Sequence, residues 1–427
     1  MPDKAREASL YALGRCRRDG AWSAMTIDAA IKKYDLDGRD AGFMSRLTLG
    51  VMENITFLDH YIGLYSSSPV TKLEPRVLDV LRLSAYQLVF MDRVPQSAAV
   101  NEGVELCKSS GCGKAAGLVN AVLRRIAENR DKLPEIPCAG TAGYLAVRYS
   151  HPQWLADELT GEYGYDFTKR FFAANNQPSP LYIQVNTLKT DAAKLGQMLS
   201  DGGSSWEKHR WLDDCLLVSA PGAVASLPGF GDGLFYVQDP AARYCLVKAG
   251  LEPGMKVLDV CAAPGGKSFA AAIDMKNIGS IMSRDIHEKK TRLIAAGAER
   301  LGISIIRTAA MDAREKTGDE FDAVIADVPC SGIGVIRSKP EIRYKDRAGL
   351  SGLPDIQLDI LRASCDSVKP GGVLMYSTCT VLKDENEGVI ASFLEERNDF
   401  AAEEQRTFWP QTDGTDGFFV CRLRKKL

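Results

Sequence analysis

Hydrophobic positions along this chain fall first into a helical period and later into short apolar runs. Arg76 to Met91 puts Val77, Leu78, Leu81, Ala85 and Leu88 on one face, and Ala116 to Ile126 does the same with Leu118, Val119, Val122, Leu123 and Ile126. Stripes at i, i+3, i+4 and i+7 predict helices packed into a bundle, and residues 1 to about 135 read as helical throughout. Pro69, Pro75 and Pro95 punctuate between the helices, since proline has no amide hydrogen for a helix interior. Leu133-Pro-Glu-Ile-Pro137 reads as a linker that closes the region.

A new unit is predicted from Ser150-His-Pro-Gln153-Trp154. Ser150 with Gln153 fits a capping box, and Pro152 falls in the first helical turn. A strand over Pro180 to Asn186, a helix near Ala192 to Leu199, and short strands at Cys215 to Val218 and Leu234 to Val237 follow. Residues 145–235 are therefore expected to form a small α+β module.

From about residue 236 strand and helix alternate. The strand candidates are Lys256 to Val260, Gly279 to Ser283, Ser304 to Thr308, Asp322 to Ala326 and Val373 to Ser377. Helical stretches separate them, notably Lys289 to Leu301 and Ile356 to Val368. This alternation predicts βαβ units and a mainly parallel sheet covered on both faces, in a third domain over 236–427. Such sheets bind ligands outside the carboxyl ends of their strands. Asp259, Asp285, Asp312, Asp327 and Cys379 all fall at or just past such ends. One strand-end aspartate can be a helix cap. Four of them with two cysteines on one edge are better explained as a site.

Composition narrows the class. The chain has 427 residues, too many for one compact core, and its 45% hydrophobic and 25% charged content is that of a soluble globular protein. No apolar run approaches the roughly 20 residues of a membrane span. The start, Met1-Pro-Asp-Lys, lacks a secretory apolar core, so a cytoplasmic protein is expected. The 11 cysteines are odd in number, scattered and free of Cys-x-x-Cys pairs, which suits a reducing compartment. With four histidines, none in ligand spacing with cysteines, no metal is expected. A net charge of −2 excludes a protein that is basic all over but leaves room for a local nucleic-acid patch. Residues 1–135 carry 19 Lys+Arg against 17 Asp+Glu, clustered as in Arg15-Cys-Arg17-Arg18 and Arg124-Arg125. The plainer reading of those clusters is a solvated helix face.

Three readings compete for the segment Val257-Leu-Asp-Val-Cys261-Ala262-Ala263-Pro264-Gly265-Gly266-Lys267-Ser-Phe. A dinucleotide fingerprint needs Gly-x-Gly-x-x-Gly after the strand, which is absent. A phosphate-cradling loop needs a glycine where Cys261 stands. A loop for S-adenosylmethionine needs a strand-end acid and glycines that let the backbone approach a ligand without phosphates. It also needs an acid ending the next strand, for ribose hydroxyls, and Asp285 is that residue. Met311-Asp312-Ala313 then becomes the candidate for the adenine edge. A plain turn over a buried Asp259 is the blander alternative, and three acids in strand order count against it.

Asp327-Val-Pro-Cys330-Ser-Gly and Tyr376-Ser-Thr-Cys379-Thr suggest thiolate chemistry beside that cofactor. Carbon 5 of a pyrimidine is not nucleophilic enough to take a methyl group while the ring stays aromatic. A thiolate adding at carbon 6 makes carbon 5 enamine-like, and a base must later remove its proton. Asp327 could stabilise the adduct near ring N3 and the amino group, as a protonated acid or by bridging the amino group. The spacing does not say which cysteine attacks. Cys16, Cys107, Cys112, Cys138, Cys215, Cys245, Cys365 and Cys421 read as small buried hydrophobes. At Cys261 the backbone matters more than the thiol.

The three segments closely resemble motifs of the Sun/Fmu family, the RsmB-type bacterial 16S rRNA cytosine-C5 methyltransferases. Further matches are Val237-Gln238-Asp239-Pro240, Gly334-Val-Ile-Arg337-Ser-Lys-Pro340-Glu-Ile, the helix start Glu385-Asn386-Glu387, and Gly417-Phe-Phe-Val-Cys-Arg-Leu-Arg-Lys. The N-terminal region, with Arg6-Glu-Ala-Ser-Leu-Tyr-Ala-Leu and Gly117-Leu-Val-Asn-Ala-Val-Leu-Arg-Arg, looks like a NusB-type RNA-binding domain. The resemblance covers nearly the whole chain. It implies a NusB-like all-α bundle over 1–140, the α+β module over 145–235 and a Rossmann-like class I methyltransferase domain over 236–427. It further implies that Cys379 is the nucleophile and that Cys330 assists proton removal and product release. Residues 261–267, Asp285, Asp312 and Asp327 would line the S-adenosylmethionine pocket, with Asp327 also touching the target base. DNA cytosine-C5 methyltransferases use the Pro-Cys cysteine instead, here Cys330. One departure is Gln184-Val-Asn186, where the family often has Arg; a phosphate contact there would lose a charge.

The leading expectation is a monomeric cytoplasmic enzyme acting on one cytidine of small-subunit rRNA, with no metal and no membrane. A non-catalytic RNA-binding ribosome-assembly factor is the alternative from another class, and a C5 methyltransferase of another RNA such as tRNA is a third.

Overall fold

The computed structural model describes residues 3–19, 23–219 and 222–427. The chain divides into two compact units, Met1–Gln177 with Ile336–Lys345, and Pro178–Val335 with Asp346–Leu427.

The first unit is helical. Its helices are α1 (Lys4–Asp19), α2 (Ser23–Tyr34), α3 (Gly38–Glu53), α4 (Ile55–Tyr65), α5 (Pro75–Phe90), α6 (Gln96–Cys107), α7 (Ala116–Glu128), α8 (Ala142–Arg148), α9 (Gln153–Tyr163) and α10 (Tyr165–Asn175). The stripe of α5 packs as its period predicts: Val77, Leu78, Leu81, Ala85 and Leu88 are all buried. Val119, Val122, Leu123 and Ile126 of α7 join the same core, with Leu118 at its margin. The expected capping box does not form. Ser150 has a positive φ of 55° and its hydroxyl accepts the Thr56 amide at 2.9 Å. Helix α9 starts at Gln153, whose side chain donates to Asp157 instead of reaching back.

Helices α8 to α10 and residues 336–345 pack with this unit. Residues 336–345 are held there by Arg343, which is fully buried. Its guanidinium donates to the carbonyls of Glu53 at 2.9 Å, Tyr149 at 3.3 Å, Ser150 at 3.3 Å and Asn175 at 3.0 Å. These carbonyls end α3, α8 and α10, where helix dipoles present their negative poles. A buried cation is tolerated because it satisfies acceptors that would otherwise be orphaned.

The second unit holds two sheets among the described residues. Strands β1 (Leu181–Val185), β2 (Ser205–His209), β3 (Leu212–Ser219) and β4 (Phe235–Val237) form an antiparallel sheet in the order β2-β3-β1-β4, with α11 (Ala192–Asp201) against it. Gln184 and Asn186 are buried here. Gln184 Nε2 donates to the Gln238 carbonyl at 2.9 Å, and Asn186 Nδ2 donates to the carbonyls of Gly233 and Leu301. The phosphate contact considered for this element is therefore replaced by an internal role, tying the small sheet to its surroundings.

The larger sheet comprises β5 (Lys256–Asp259), β6 (Ser280–Asp285), β7 (Ile306–Ala310), β8 (Phe321–Asp327), β9 (Val368–Thr378), β10 (Phe400–Phe408) and β11 (Phe418–Lys425), in the order β10-β11-β9-β8-β5-β6-β7. From β9 to β7 every pairing is parallel, as expected; β11 and β10 are antiparallel additions that the sequence reading lacked. Helices α12 (Pro240–Ala249), α13 (Gly266–Asp274), α14 (Glu288–Leu301), α15 (Leu353–Cys365), α16 (Glu387–Glu396) and the short α17 (Pro410–Asp413) complete the unit. The chain runs from β5 outward to β7 and then crosses back to β8 on the other side of β5. That reversal falls at the carboxyl ends of β5 and β8, the usual ligand position in open α/β sheets. No described helix is long and apolar enough to cross a membrane.

Candidate functional site

The carboxyl edge of the parallel strands carries the four candidate acids and Cys379. Asp259, Asp285 and Asp327 are the last residues of β5, β6 and β8, while Asp312 lies just past β7 and Cys379 just past β9. The acids converge. Asp259, Asp327, Asp285 and Asp312 all act on the Cys261 thiol, which burial first and these charges next push well up. Cys261 is thus held as a thiol, in keeping with a backbone role.

The loop from Cys261 to Lys267 turns the end of β5 into α13. The Ala262 amide donates to the Arg284 carbonyl at 2.7 Å, which pins the loop to β6. The Ala263–Pro264 peptide is cis, and Gly265 has a φ of 114°. Any side chain at Gly265 would also collide with the Phe269 ring. Glycine is required on both counts. Gly266 opens α13, so its first amides point out of the turn.

Asp259 sits beneath this loop. It is fully buried, and Ser268 Oγ donates to its Oδ2 at 2.7 Å. Burial pushes its carboxyl up to about 7, against the opposing pull of Ser268 and Lys267. The unfolded chain releases this proton near 3.8, the folded chain near 7. Between those values the folded state holds the extra proton, so this residue favours folding least at high pH. Stability should fall as pH rises from about 4 to 7, by up to roughly 1.4 kcal/mol per pH unit from this group. Asp259→Asn should flatten that slope in urea melts across pH 4 to 8; parallel slopes in variant and wild type would remove Asp259 as its source.

Asp285 Oδ1 accepts the His287 amide at 2.9 Å, which fixes the carboxylate and leaves its other oxygen outside that bond. The Met311 amide donates to the Asp285 carbonyl at 3.1 Å and brings the end of β7 alongside. Both oxygens of Asp312 accept from Arg314, whose side-chain bonds hold the Asp312 carboxyl below its usual range. Any contact of Asp312 with an adenine edge would therefore be made by the Asp312–Arg314 pair.

Asp327 is held from two sides. Its Oδ2 meets Lys267 Nζ at 2.6 Å and its Oδ1 accepts from Ser377 Oγ at 2.7 Å. Lys267 is buried; burial opposes its charge, but the facing Asp327 carboxylate outweighs this and raises it above the ordinary lysine value. The ammonium also lies 5.1 Å from the centroid of the Phe418 ring, on the unforeseen strand β11.

Cys330 and Cys379 come together, with their sulfurs 3.3 Å apart. The Cys330 thiol is pushed well up, first by its hydrogen bond to Cys379, then by burial and by the charges of Cys379, Glu385 and Asp327. Of the cysteines read as buried hydrophobes, Cys107, Cys112, Cys215, Cys245, Cys365 and Cys421 are buried and Cys16 is partly so. Cys138 is the exception: it is exposed and has a positive φ of 59°.

Sequence reasoning missed the supports of the thiol pair. Glu385, Asn386, Gln357, Thr378 and Thr380 are buried around the two cysteine loops. Gly334 and Gly417 touch backbone to backbone: the Gly417 amide donates to the Gly334 carbonyl at 2.9 Å, and a side chain at Gly334 would overlap that neighbour. Their only signal in the sequence was membership of the matched motifs.

Comparison with known proteins gives three matched regions along the chain. Residues 249–424 match the family described as 16S rRNA methyltransferase RsmB/F. Residues 3–128 match the NusB family, and residues 151–225 match the ferredoxin-like domain of RsmF/B-like methyltransferases. A probable ribosomal RNA small subunit methyltransferase B of Bacillus subtilis (strain 168) is 36% identical, over 99% of this chain and 98% of its own length. One from Synechocystis sp. (strain ATCC 27184 / PCC 6803 / Kazusa) is 32% identical, over 99% of both. Among solved structures, that of PH0851 matches with a TM-score of 0.84 at 26% identity, over 100% of this chain and 99% of that one. A methyltransferase homologue from Pyrococcus horikoshii matches with a TM-score of 0.59 at 26% identity, over 66% of this chain and 97% of that one. The chain belongs to the ribosomal RNA small subunit methyltransferase B family.

Proposed function

We propose that the protein methylates carbon 5 of one cytidine in small-subunit rRNA, with S-adenosylmethionine as the methyl donor and a covalent adduct between Cys379 and carbon 6. The observation that carries this reading is the thiol pair, 3.3 Å apart, beside an Asp327 carboxylate locked by Lys267 and Ser377. A lone thiol would suit many roles. A pair next to a fixed acceptor suits a reaction that needs a nucleophile, a base and a grip on an exocyclic amino group.

The glycine turn at 265–266, the strand-end Asp285 and the buried Asp259 fit a cofactor that has hydroxyls and no phosphates. When bound there, S-adenosylmethionine would supply an electrophilic methyl group on a sulfonium. The target base would have to leave its stack, because carbon 6 is out of reach inside a helix. Asp327, already accepting at both oxygens, would accept from the cytosine amino group and orient the ring. Cys379 would enter as thiolate, with Cys330 carrying the remaining proton of the pair.

Attack forms the S–C6 bond and shifts the C5–C6 π electrons onto carbon 5, delocalised through carbon 4 to N3, leaving carbon 5 nucleophilic. Carbon 5 could then accept the methyl group that S-adenosylmethionine, held by residues 261–267 and Asp285, would supply. Cys379 is now an uncharged thioether, so the charge that kept the proton on Cys330 is gone. Cys330 can release that proton to solvent, take the proton from carbon 5, and let the C5–C6 double bond re-form as Cys379 leaves. The pair ends as it began, thiolate and thiol, with one net proton released.

The test is turnover on small-subunit rRNA followed by nucleoside mass spectrometry, with rRNA tritiated at cytidine C5 in parallel. One tritium released per 5-methylcytidine formed is expected, with tRNA a poor competitor. A methylated nucleoside other than 5-methylcytidine would overturn the reaction. Cofactor and RNA binding without turnover on any RNA would favour the RNA-binding assembly factor.

A further inference from the structure

Parallel pairing of β8 and β9 runs out at the register Asp327 opposite Ser377. Both cysteines lie beyond it, so the sheet ladder does not set their separation. We propose that the adjacent residues Glu385 and Asn386 act as a bracket, each holding one cysteine loop, and that this bracket fixes the spacing of the two thiols. The inference rests on the catalytic reading of Cys330 and Cys379 above.

Glu385 serves the Cys330 loop. Its side chain is buried, and its Oε2 accepts the Ser331 amide at 2.8 Å and Gln357 Nε2 at 2.9 Å. The same Gln357 amide donates to the Pro329 carbonyl at 3.0 Å. Cys330 is thereby held from the residue before it and the residue after it. Asn386 serves the Cys379 loop in the same manner. Its Oδ1 accepts from Thr378 Oγ1 at 2.6 Å, and its Nδ2 donates to the Thr380 carbonyl at 3.1 Å. The bracket is itself fixed, because Tyr376 OH donates to the Glu385 carbonyl at 2.6 Å from inside β9. A direct link between the loops, Ser331 Oγ to Thr380 Oγ1 at 2.7 Å, closes the arrangement.

Glu385 and Asn386 are positioning residues: they reach the chemistry only through the thiols. Loss of each should therefore reproduce, in weaker form, the defect of the cysteine it holds. A side-chain displacement of about 1 Å at a reacting group can cost on the order of a hundredfold in rate. Glu385→Ala frees the Cys330 loop. It should still form the protein–RNA adduct but release it slowly, so the adduct accumulates while kcat falls about ten- to a hundredfold. Asn386→Ala frees the Cys379 loop and should form little adduct, with a similar fall in kcat. The KM for S-adenosylmethionine should hold in both.

The experiment runs these two variants beside Cys330→Ala and Cys379→Ala with labelled S-adenosylmethionine and small-subunit rRNA on a denaturing gel. Thermal melting checks folding. Should either alanine variant fail to fold, Thr378→Val, which removes only the hydroxyl that Asn386 holds, and Glu385→Gln carry the test. Glu385→Gln keeps an accepting oxygen and should recover most of the turnover, and Thr378→Val should match Asn386→Ala. The bracket is overturned if the Glu385 and Asn386 variants share one phenotype, or if Glu385→Gln rescues nothing, while the cysteine variants behave as assigned. If instead the cysteine variants themselves depart from their assigned behaviour, the catalytic reading fails, and the bracket fails with it.

Discussion

Cys330→Ala, incubated with labelled S-adenosylmethionine and small-subunit rRNA, should yield a labelled protein–RNA band that survives denaturation, and Cys379→Ala should yield none. The expectation follows from the asymmetry of the thiol pair. The hydrogen bond to Cys379 and burial push the Cys330 thiol up. In the proposed mechanism Cys379 is the one that enters as thiolate, the nucleophilic form. Without Cys379 no adduct forms and methylation is lost. Without Cys330 the adduct forms, is methylated and stays, because carbon 5 keeps its proton. Turnover should drop by at least about a thousandfold in Cys379→Ala, the scale seen when a covalent nucleophile is removed. The reverse pattern, a band in Cys379→Ala alone, would assign attack to Cys330 and keep the reaction.

The second large effect is expected at Lys267. Lys267→Met leaves Asp327 facing a buried methylene chain in place of an ammonium at 2.6 Å. Breaking a buried ion pair on one side costs more than replacing both partners, on the order of 3 kcal/mol here. The estimate stays at the low end because Asp327 is one-third exposed, at 33%. Thermal melting should show the loss, and titration with S-adenosylmethionine should show a raised Kd. The double variant Lys267→Met/Asp327→Leu should regain stability, since no unpaired charge remains, yet stay inactive, since the acceptor for the base is gone. An unchanged Kd in Lys267→Met would move this residue out of the cofactor pocket. Recovery of activity in the double variant would remove Asp327 from base recognition.

The parts legible in the sequence share a cause. The stripes of α5 and α7 and the apolar runs of β5, β6 and β8 are set by burial, which leaves a periodic trace. The strand-end acids and the two cysteines were readable because polar residues that close apolar runs stand out. Strand β10 left no such trace: only its ends, Phe400 and Phe408, are buried, and most positions between them face solvent on a sheet edge. The excursion of residues 336–345 was hidden because it depends on one arginine finding the carbonyl ends of three distant helices, and no local pattern encodes that. Glu385 and Asn386 were seen as a helix start, and α16 does begin at Glu387. What their side chains hold is a matter of tertiary packing. Gln184 was weighed as a phosphate contact because the resembling family often has Arg at that position; the structure buries it.

The excursion bears on how the molecule can be taken apart. The chain passes between its units at residues 177–178, 335–336 and 345–346. No single break in the backbone yields two self-contained halves. A fragment lacking residues 1–140 would keep Arg343 yet lose the Glu53 carbonyl it binds, and a fragment ending at residue 177 would have no Arg343 at all. A fragment meant to isolate the helical unit therefore has to carry residues 336–345 with it.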